Sequence, residues 1–244
     1  MTIPGRLEAA RLLMSLEPPA WFLRHACAVA DVAAWLAART AANGGPVEAR
    51  LVEAAALLHD VDKLPRAEAQ CAGLRHGEGS VAWLEAHGMP ELAPVVREHP
   101  VTRLADPAFG GWVDAASPEA MIVAYADKRA GQALEPMDAR FASWRRRYPS
   151  GPGAQVAPAP RGGYRSPDAA PTGRGWDDEV SAMVLERARE LERRVCAAAG
   201  VRPDEVRRLR WSRRAIAAAG AGGAAGRRGG TRSSWSTRPG GTEA

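Results

Sequence analysis

The segment Glu53-Ala-Ala-Ala-Leu-Leu-His-Asp-Val-Asp-Lys-Leu-Pro65 is the stretch around which the rest of the chain is organised. It begins as an apolar helix and ends with an imidazole next to a carboxylate, His59 and Asp60. Consecutive helical residues are about 100° apart, so both side chains can lean toward one point at the end of the helix. Converging imidazole and carboxylate groups are common metal ligands, although adjacent His and Asp also arise by chance.

The composition predicts helices rather than strands. The 244 residues are rich in Ala, Leu and Arg and poor in aromatic residues, and this bias favours α-helix. The length is sufficient for one domain with a full core and additional segments. We therefore expect an all-α protein.

Cysteine usage and the absence of targeting signals favour the cytoplasm. Cys27, Cys71 and Cys196 form no CxxC pair, which fits a reducing compartment without disulfides. The first residues lack the basic region, apolar run and cleavage site of a signal peptide. No apolar run approaches the ~20 residues of a transmembrane helix. We expect a cytoplasmic protein without a membrane segment.

Positive charge is concentrated in the C-terminal region. Residues 201–244 hold ten Arg and three acidic residues, which leaves 23 of the 33 basic and 25 of the 28 acidic residues for the rest. This balance gives little support to nucleic-acid binding by the body of the protein. The Arg-rich tail is expected to be a solvated end, with weak binding to RNA or to an anionic surface as the alternative.

Turn residues and apolar periodicity divide the chain into helices. Asn43-Gly44-Gly45 ends a long helix, and Ser117-Pro118-Glu119 is a strong helix start. We expect loops at 61–65 and 101–116, the latter held in place by Phe109 and Trp112. Helices are expected at about 4–16, 19–42, 46–59, 66–72, from 80 to about 87, 90–99, 117–127, 135–148 and 176–199.

Further metal-type side chains lie on the inward faces or at the ends of other predicted helices. His25 shares an apolar stripe with Val29, and Asp127 follows Val123 by about one helical turn. His99 ends a short apolar helix that stops at a proline, and His76 precedes another helix.

Each of these residues also has an ordinary structural interpretation. The three histidines are compatible with hydrogen-bonded core or loop positions, and Asp127 is compatible with an internal ion pair to Lys128 or Arg129. His87, which precedes a glycine at a helix end, is assigned a structural role. A metal site explains the remaining residues together, which favours the metal interpretation.

The order His25, His59-Asp60 and Asp127 resembles the HD-domain metal-dependent phosphohydrolase superfamily over roughly residues 20–145. The lysine three residues after Asp60 and the Tyr-Ala-Asp-Lys segment that ends at Lys128 are similar to the corresponding family segments. The resemblance implies an all-helical HD-domain bundle that holds metal through these residues.

Two further histidines resemble those of the dinuclear subgroup. His76-Gly77 and His99-Pro100 are similar to the additional ligands of the bacterial branch that splits dinucleoside tetraphosphates symmetrically. The chain departs from that branch at Asp62, where glycine is common, and at 99, where some relatives carry a pair of histidines. No Gly-Tyr-Pro motif follows the His-Asp pair, which argues against a cyclic-dinucleotide phosphodiesterase of that type.

The resemblance and the ligand types together define a set of expected site residues. A mixed His and carboxylate set suits Fe, Mn, Co, Ni or Zn. One divalent ion would be held by His25, His59, Asp60 and Asp127. A possible second ion would share Asp60 and add His76 and His99.

Other residues near these ligands are candidates for substrate binding. Lys63, with Lys128 or Arg129, is expected to bind phosphate oxygens as a cationic clamp. Asp62 is expected to be a general acid or a partner for a ligand histidine, with a plain surface acid as the alternative.

The expected function is a metal-dependent phosphohydrolase. It would cleave a phosphate ester or anhydride of a nucleotide or dinucleoside polyphosphate with metal-activated water. The alternative is a non-catalytic HD-fold module that binds a nucleotide for regulation. The complete H…HD…D ligand set favours the enzyme.

The expected domain organisation has four parts. They are an HD phosphohydrolase domain (1–148), a Pro/Gly-rich linker (149–175), a helical extension (176–219) and a disordered Arg/Gly tail (220–244). The apolar stripe of the 176–199 helix is expected to dock on the core. Trp144 and that helix are also candidate surfaces for a homodimer.

Overall fold

The computed structural model describes residues 3–147 and 177–228, and in this part of the chain the regular structure is helical. One isolated bridge joins Ala130 to Leu134. The all-α prediction is therefore confirmed. The predicted linker and residues 229–244 of the predicted tail lie outside the described residues.

The order of the helices follows the predicted order. The α-helices are α1 (Arg6–Ser15), α2 (Ala20–Ala42), α3 (Ala49–Leu58), α4 (Glu68–Cys71), α5 (Glu78–Ala86), α6 (Ala93–Arg97), α7 (Phe109–Ala115), α8 (Pro118–Arg129), α9 (Met137–Arg147), α10 (Asp178–Ala199) and α11 (Trp211–Arg228). Short 3-10 helices occupy Val61–Lys63, Pro65–Ala67, Pro90–Leu92, Val101–Ala105 and Pro203–Glu205.

Helix α2 lies at the centre of the bundle. Phe22, Val29, Val32 and Leu36 on it are fully buried, and α3, α8 and α10 all pack against it. A helix that is buried on most of its sides belongs to the core rather than to the surface. His25 at its N-terminal end is thereby brought close to the ends of α3 and α8.

The predicted loop at 101–116 is wrong. Val101–Ala105 forms a 3-10 helix and Phe109–Ala115 forms α7. Gly110 and Gly111 lower the helix propensity of this segment, but Phe109 and Val113 are buried against the core. Most helical stability in proteins comes from such packing, so burial here outweighs propensity.

The C-terminal helices are part of the same bundle. Val184, Leu191 and Val195 of α10 are buried against the core, as the apolar stripe predicts. This apolar face is therefore occupied by the chain itself, and a homodimer through the rest of α10 or through Trp144 stays a prediction. Trp144, the other candidate surface, packs edge-on against Phe141 with ring centroids 4.8 Å apart.

Helix α11 extends to Arg228, beyond the predicted start of disorder at residue 220. It packs against α1 and α2, and Trp211 at its start is buried. Among the described residues, no helix combines the length and apolar character that crossing a bilayer requires.

Candidate metal centre

Six predicted ligands meet where several helices end. His25 comes from α2, His59 and Asp60 from the end of α3, and Asp127 from α8. His76 lies just before α5 and His99 just after α6. The structure thus brings together residues that are up to 102 positions apart in the sequence.

The first half-site consists of His25, His59 and Asp127 around one oxygen of Asp60. Asp60 Oδ2 lies 3.2 Å from His25 Nε2 and 3.5 Å from His59 Nε2. Asp127 Oδ1 lies 3.4 Å from His25 Nε2 and 3.7 Å from His59 Nε2. Two imidazoles and two carboxylates therefore face one another.

The second half-site consists of His76 and His99 around the other oxygen of the same carboxylate. Asp60 Oδ1 lies 3.1 Å from His99 Nε2 and 3.3 Å from His76 Nε2. The two Nε2 atoms are themselves 3.2 Å apart. Asp60 thus presents Oδ2 to one pair of imidazoles and Oδ1 to another, as a carboxylate that bridges two ions would.

Each histidine ring is oriented through its Nδ1 atom, so that Nε2 points into the centre. A backbone carbonyl can only accept a hydrogen bond, which assigns a proton to the Nδ1 atoms that face one. Such anchoring is typical of metal-ligating histidines. The Nδ1 contacts are His25 to Gly131 O at 2.8 Å, His59 to Ala56 O at 2.8 Å, His99 to Val96 O at 2.6 Å and His76 to Asp62 Oδ2 at 2.9 Å.

This arrangement leaves electron-rich atoms that only a cation can satisfy together. His59 Nε2 is buried and has no hydrogen-bond partner among the described residues. His99 Nε2 faces the carboxylate of Asp60, although its Nδ1 already bears the donated proton. A buried acceptor without a donor is costly. These observations fit a divalent cation in each half-site.

The distances also suit a metal. Ligand atoms about 2.1 Å from an ion lie at most about 4.2 Å apart. The contacts within each half-site are 3.1–3.7 Å. The groups His25-His59-Asp60 and Asp60-His76-His99 each place three ligand atoms within 4.8 Å of one another.

The two carboxylates are held in the ionised form. Burial opposes ionisation of Asp60, but the charges of His59 and Lys63 outweigh burial and hold its pKa well below the usual range. Asp127 is also buried, and Lys128 with His25 holds its pKa well below the usual range. Both groups are therefore anionic ligands at neutral pH.

The histidines of the two half-sites differ in basicity. Burial lowers the pKa of His99 to about 4, despite its contact with Asp60. Burial also disfavours the charged form of His25, but hydrogen bonds to Asp127 and Asp60 outweigh it and raise its pKa to about 9. A cation in the first half-site would therefore replace a proton on His25.

A close approach of the backbone at Gly77 places His76 beside His99. Gly77 has φ +86°, and a Cβ atom there would lie 2.9 Å from Arg97 O and 2.8 Å from the Pro100 ring. Only glycine fits such a left-handed and crowded position. The His76-Gly77 pair is thus a sequence signal for this contact.

Asp62 orients His76 rather than facing substrate. Its Oδ2 accepts from His76 Nδ1 at 2.9 Å and from the Gly77 N–H at 2.9 Å. Burial opposes ionisation, but the bond from His76 outweighs it and lowers the pKa of Asp62. Of the predicted alternatives, the geometry favours the partner of a ligand histidine over a surface acid.

Lys63 lies on the accessible side of the centre. Its Nζ is 3.0 Å from Asp60 Oδ2, and its side chain is 12% exposed. His25 and Asp127 are the other accessible members, with side chains 13% and 11% exposed, whereas His59 is fully buried. Among the described residues, His25, Asp127 and Lys63 therefore form the accessible side of the centre.

The predicted phosphate-binding role of Lys128 is not supported by its position. Lys128 is 1% exposed, donates to Asp127 Oδ2 at 2.8 Å and also donates to the carbonyl of His99. The internal ion pair that was the alternative for Asp127 is therefore present. Lys128 positions Asp127 and connects α8 to the His99 turn.

The contacts of Arg129 do not support its predicted phosphate-binding role either. Its guanidinium donates to Glu192 Oε1 at 2.9 Å, to Pro203 O at 3.2 Å and to Glu135 O at 2.8 Å. Adjacent helical residues point about 100° apart, so Arg129 faces α10 while Lys128 faces the centre. Arg129 therefore fixes the C-terminal helices to α8.

Sequence reasoning missed the carbonyl of Gly131, which orients His25. A backbone carbonyl carries no residue-type signal, so it could be found only from the fold. His87, assigned a structural role, stacks on Trp83 with ring centroids 3.9 Å apart and contacts the Trp83 carbonyl at 2.7 Å.

Comparison with protein families accounts for this arrangement. Residues 22–131 match the family model described as the HD domain. This part of the chain is similar to the HD domain. All six candidate ligands lie within the match, and proteins of the HD family bind divalent metals and are generally hydrolases. Searches of curated proteins and of solved structures found no match.

Proposed function

We propose that this protein is a metal-dependent phosphohydrolase in which His25, His59, Asp60 and Asp127 would hold one divalent ion, and Asp60, His76 and His99 would hold a second. The observation that carries the proposal is the division of the Asp60 carboxylate between two pairs of imidazole Nε2 atoms. Transition ions such as Mn, Fe, Co, Ni or Zn suit this His and carboxylate set. The proposed substrate is a nucleotide or a dinucleoside polyphosphate. The most specific version of the proposal is the symmetrical cleavage of a dinucleoside tetraphosphate.

The bound ions would lower the pKa of a water molecule and polarise a phosphoryl oxygen. In the hydrolysis, the water oxygen forms a new bond to phosphorus while the scissile P–O bond breaks. The leaving oxygen keeps the electron pair of that bond, and the proton lost by the attacking water passes to solvent or to the leaving oxygen.

The chain itself contributes orientation and charge. Gly131, Ala56 and Val96 fix three imidazole rings through their carbonyls. Lys63, on the accessible side, is the side chain we assign to neutralise a substrate phosphate oxygen. In the structure the Lys63 ammonium group contacts Asp60 Oδ2. A substrate phosphate would therefore compete with that carboxylate for the ammonium group.

The test is hydrolysis by protein reconstituted with Mn, Fe, Co, Ni or Zn, on a panel of nucleoside mono-, di- and triphosphates and dinucleoside polyphosphates. Wild type is expected to release phosphate or a nucleotide. Asp60→Ala is expected to lose about 10³-fold or more of the rate. Asp114→Ala removes an exposed carboxylate and should leave the rate unchanged.

Absence of product with every substrate and metal would contradict the proposal. Saturable nucleotide binding without turnover would then indicate the alternative, a regulatory binding module.

A further inference from the structure

Four arginines line a cavity of about 350 Å³ next to the loop between α8 and α9. They are Arg207, Arg208, Arg210 and Arg213, and Leu134 completes the wall. Four of the ten arginines of residues 201–244 therefore line the same cavity. No metal ligand lies in this cavity, so it is separate from the metal centre.

The segment that carries the arginines is held firmly against α2. The Leu209 N–H donates to the Asp31 carbonyl at 3.0 Å. Ser212 donates from its N–H to Asp31 Oδ1 at 3.2 Å and from its hydroxyl to the Cys27 carbonyl at 3.3 Å. Val206 and Trp211 are buried on either side of the segment. The arginines thus project from a fixed backbone.

Part of this positive charge has no carboxylate to balance it. Arg210 and Arg213 form no ion pair within the described residues, and Arg207 donates to the carbonyls of Asp204 and Val206. Arg208 lies 3.4 Å from Asp31 Oδ2. Asp204 also interacts electrostatically with Arg207, so two carboxylates face four guanidinium groups and the cavity keeps a net positive charge. Guanidinium groups bind phosphate oxygens through paired N–H donors, and such a cavity attracts phosphate.

Short stretches of chain connect the cavity to the metal centre. Leu134 is three residues after Gly131, whose carbonyl lies 2.8 Å from His25 Nδ1, so their Cα atoms are at most about 11 Å apart. Asp31, which anchors the arginine segment, is about 9 Å along α2 from His25. A phosphate chain that reaches the metals past His25 would therefore pass close to the arginines.

We propose that this arginine pocket binds the phosphate chain of a nucleotide or other polyphosphate. Its role, which rests on the proposed phosphohydrolase function, is to hold the substrate phosphates that are not attacked. Substrates with several phosphates would then be favoured over monophosphates through KM.

The first experiment measures tripolyphosphate binding to metal-free full-length protein by calorimetry. Wild type is compared with Arg210→Ala/Arg213→Ala and with Arg214→Ala, an exposed arginine of α11 that does not line the pocket. The double variant is expected to bind at least about tenfold more weakly, while the Arg214 variant should match wild type. Equal tripolyphosphate binding by all three proteins would contradict the proposal. A double variant that loses affinity for a short RNA but keeps its affinity for tripolyphosphate would also contradict it.

The second experiment concerns the role of the pocket in catalysis. With metal, the double variant should show at least about a tenfold higher KM for a dinucleoside tetraphosphate. Its kcat for that substrate, and its kinetics with p-nitrophenyl phosphate, should be unchanged. An unchanged KM would overturn the substrate role. If no substrate is hydrolysed at all, the proposed function fails, and the tripolyphosphate result still decides whether the pocket binds phosphate.

Discussion

The two half-sites share Asp60 but are built differently. The first half-site rests on core helices: His25 lies on α2, His59 at the end of α3 and Asp127 on α8. The second half-site rests on short turns: His76 precedes the left-handed Gly77, and His99 lies between the five-residue α6 and a proline. Ligands on packed helices are held more precisely than ligands on turns.

The ligand sets also differ. The first half-site has two imidazoles and two carboxylates, whereas the second has two imidazoles and only the shared carboxylate. More negative charge and a more rigid frame both favour the cation. We therefore expect the first half-site to bind the more tightly held ion and the second to be emptied first.

The largest effect is expected from the shared carboxylate. Asp60→Asn keeps the size of the side chain but removes its negative charge from both half-sites. Hydrolysis should fall by about 10³-fold or more, and elemental analysis should find both ions depleted. Loss of only one ion would show that the half-sites do not depend on a common ligand.

A smaller effect is expected when the support of the second half-site is removed. Asp62→Ala takes away the acceptor that orients His76. Loss of such a support typically weakens metal binding by about 10–100-fold. Competition with a chelator should show this weakening for the second ion, with the first ion retained at its wild-type affinity. Equal weakening of both ions would contradict the division into half-sites.

The first half-site depends on the C-terminal helices through α8. Glu192→Gln removes the charge that pairs with the buried Arg129, which should cost about 2 kcal/mol and lower Tm by about 5 °C. Thermal unfolding measures this loss. Glu186→Gln, an exposed position on the same helix, is the control and should leave Tm nearly unchanged.

The smallest signal is the proton released when each ion binds. The pKa of His25 is raised to about 9, so its extra proton is present at pH 7.5 and lost above that pKa. The first ion should therefore release about one proton from His25 at pH 7.5 and none at pH 10. The pKa of His99 is about 4, so His99 should release none at either pH. Calorimetry in buffers with different ionisation enthalpies measures both numbers.

The ligand set could be predicted from sequence because helical periodicity indicates inward faces. His25, Asp127 and the end of α3 were placed on inward positions by apolar spacing, and the resemblance to the HD-domain superfamily grouped them as candidate ligands. Lys128 and Arg129 were named as candidates for phosphate binding because both follow Asp127, and sequence does not reveal which group each cation contacts. The partner of Arg129 is Glu192, 63 residues away and on the far side of the predicted linker.

The C-terminal region shows the same limit of sequence reasoning. Residues 176–219 were predicted to be a helical extension and the Arg-rich end to be solvated, but no contact of the arginines at 207–213 with the rest of the protein was predicted. The contacts of Asp31 with Leu209 and Ser212 order the segment, and they join residues about 180 positions apart. Local composition carries no signal of such contacts.

The most direct test of the bridged pair is the number of metal ions bound by wild type, His59→Ala, His99→Ala and Asp60→Ala, titrated with Mn²⁺ or Co²⁺ under identical conditions. The account predicts about two ions for wild type, about one for each histidine variant and none held tightly by Asp60→Ala. A single ion in wild type that survives in His99→Ala would contradict a two-ion centre.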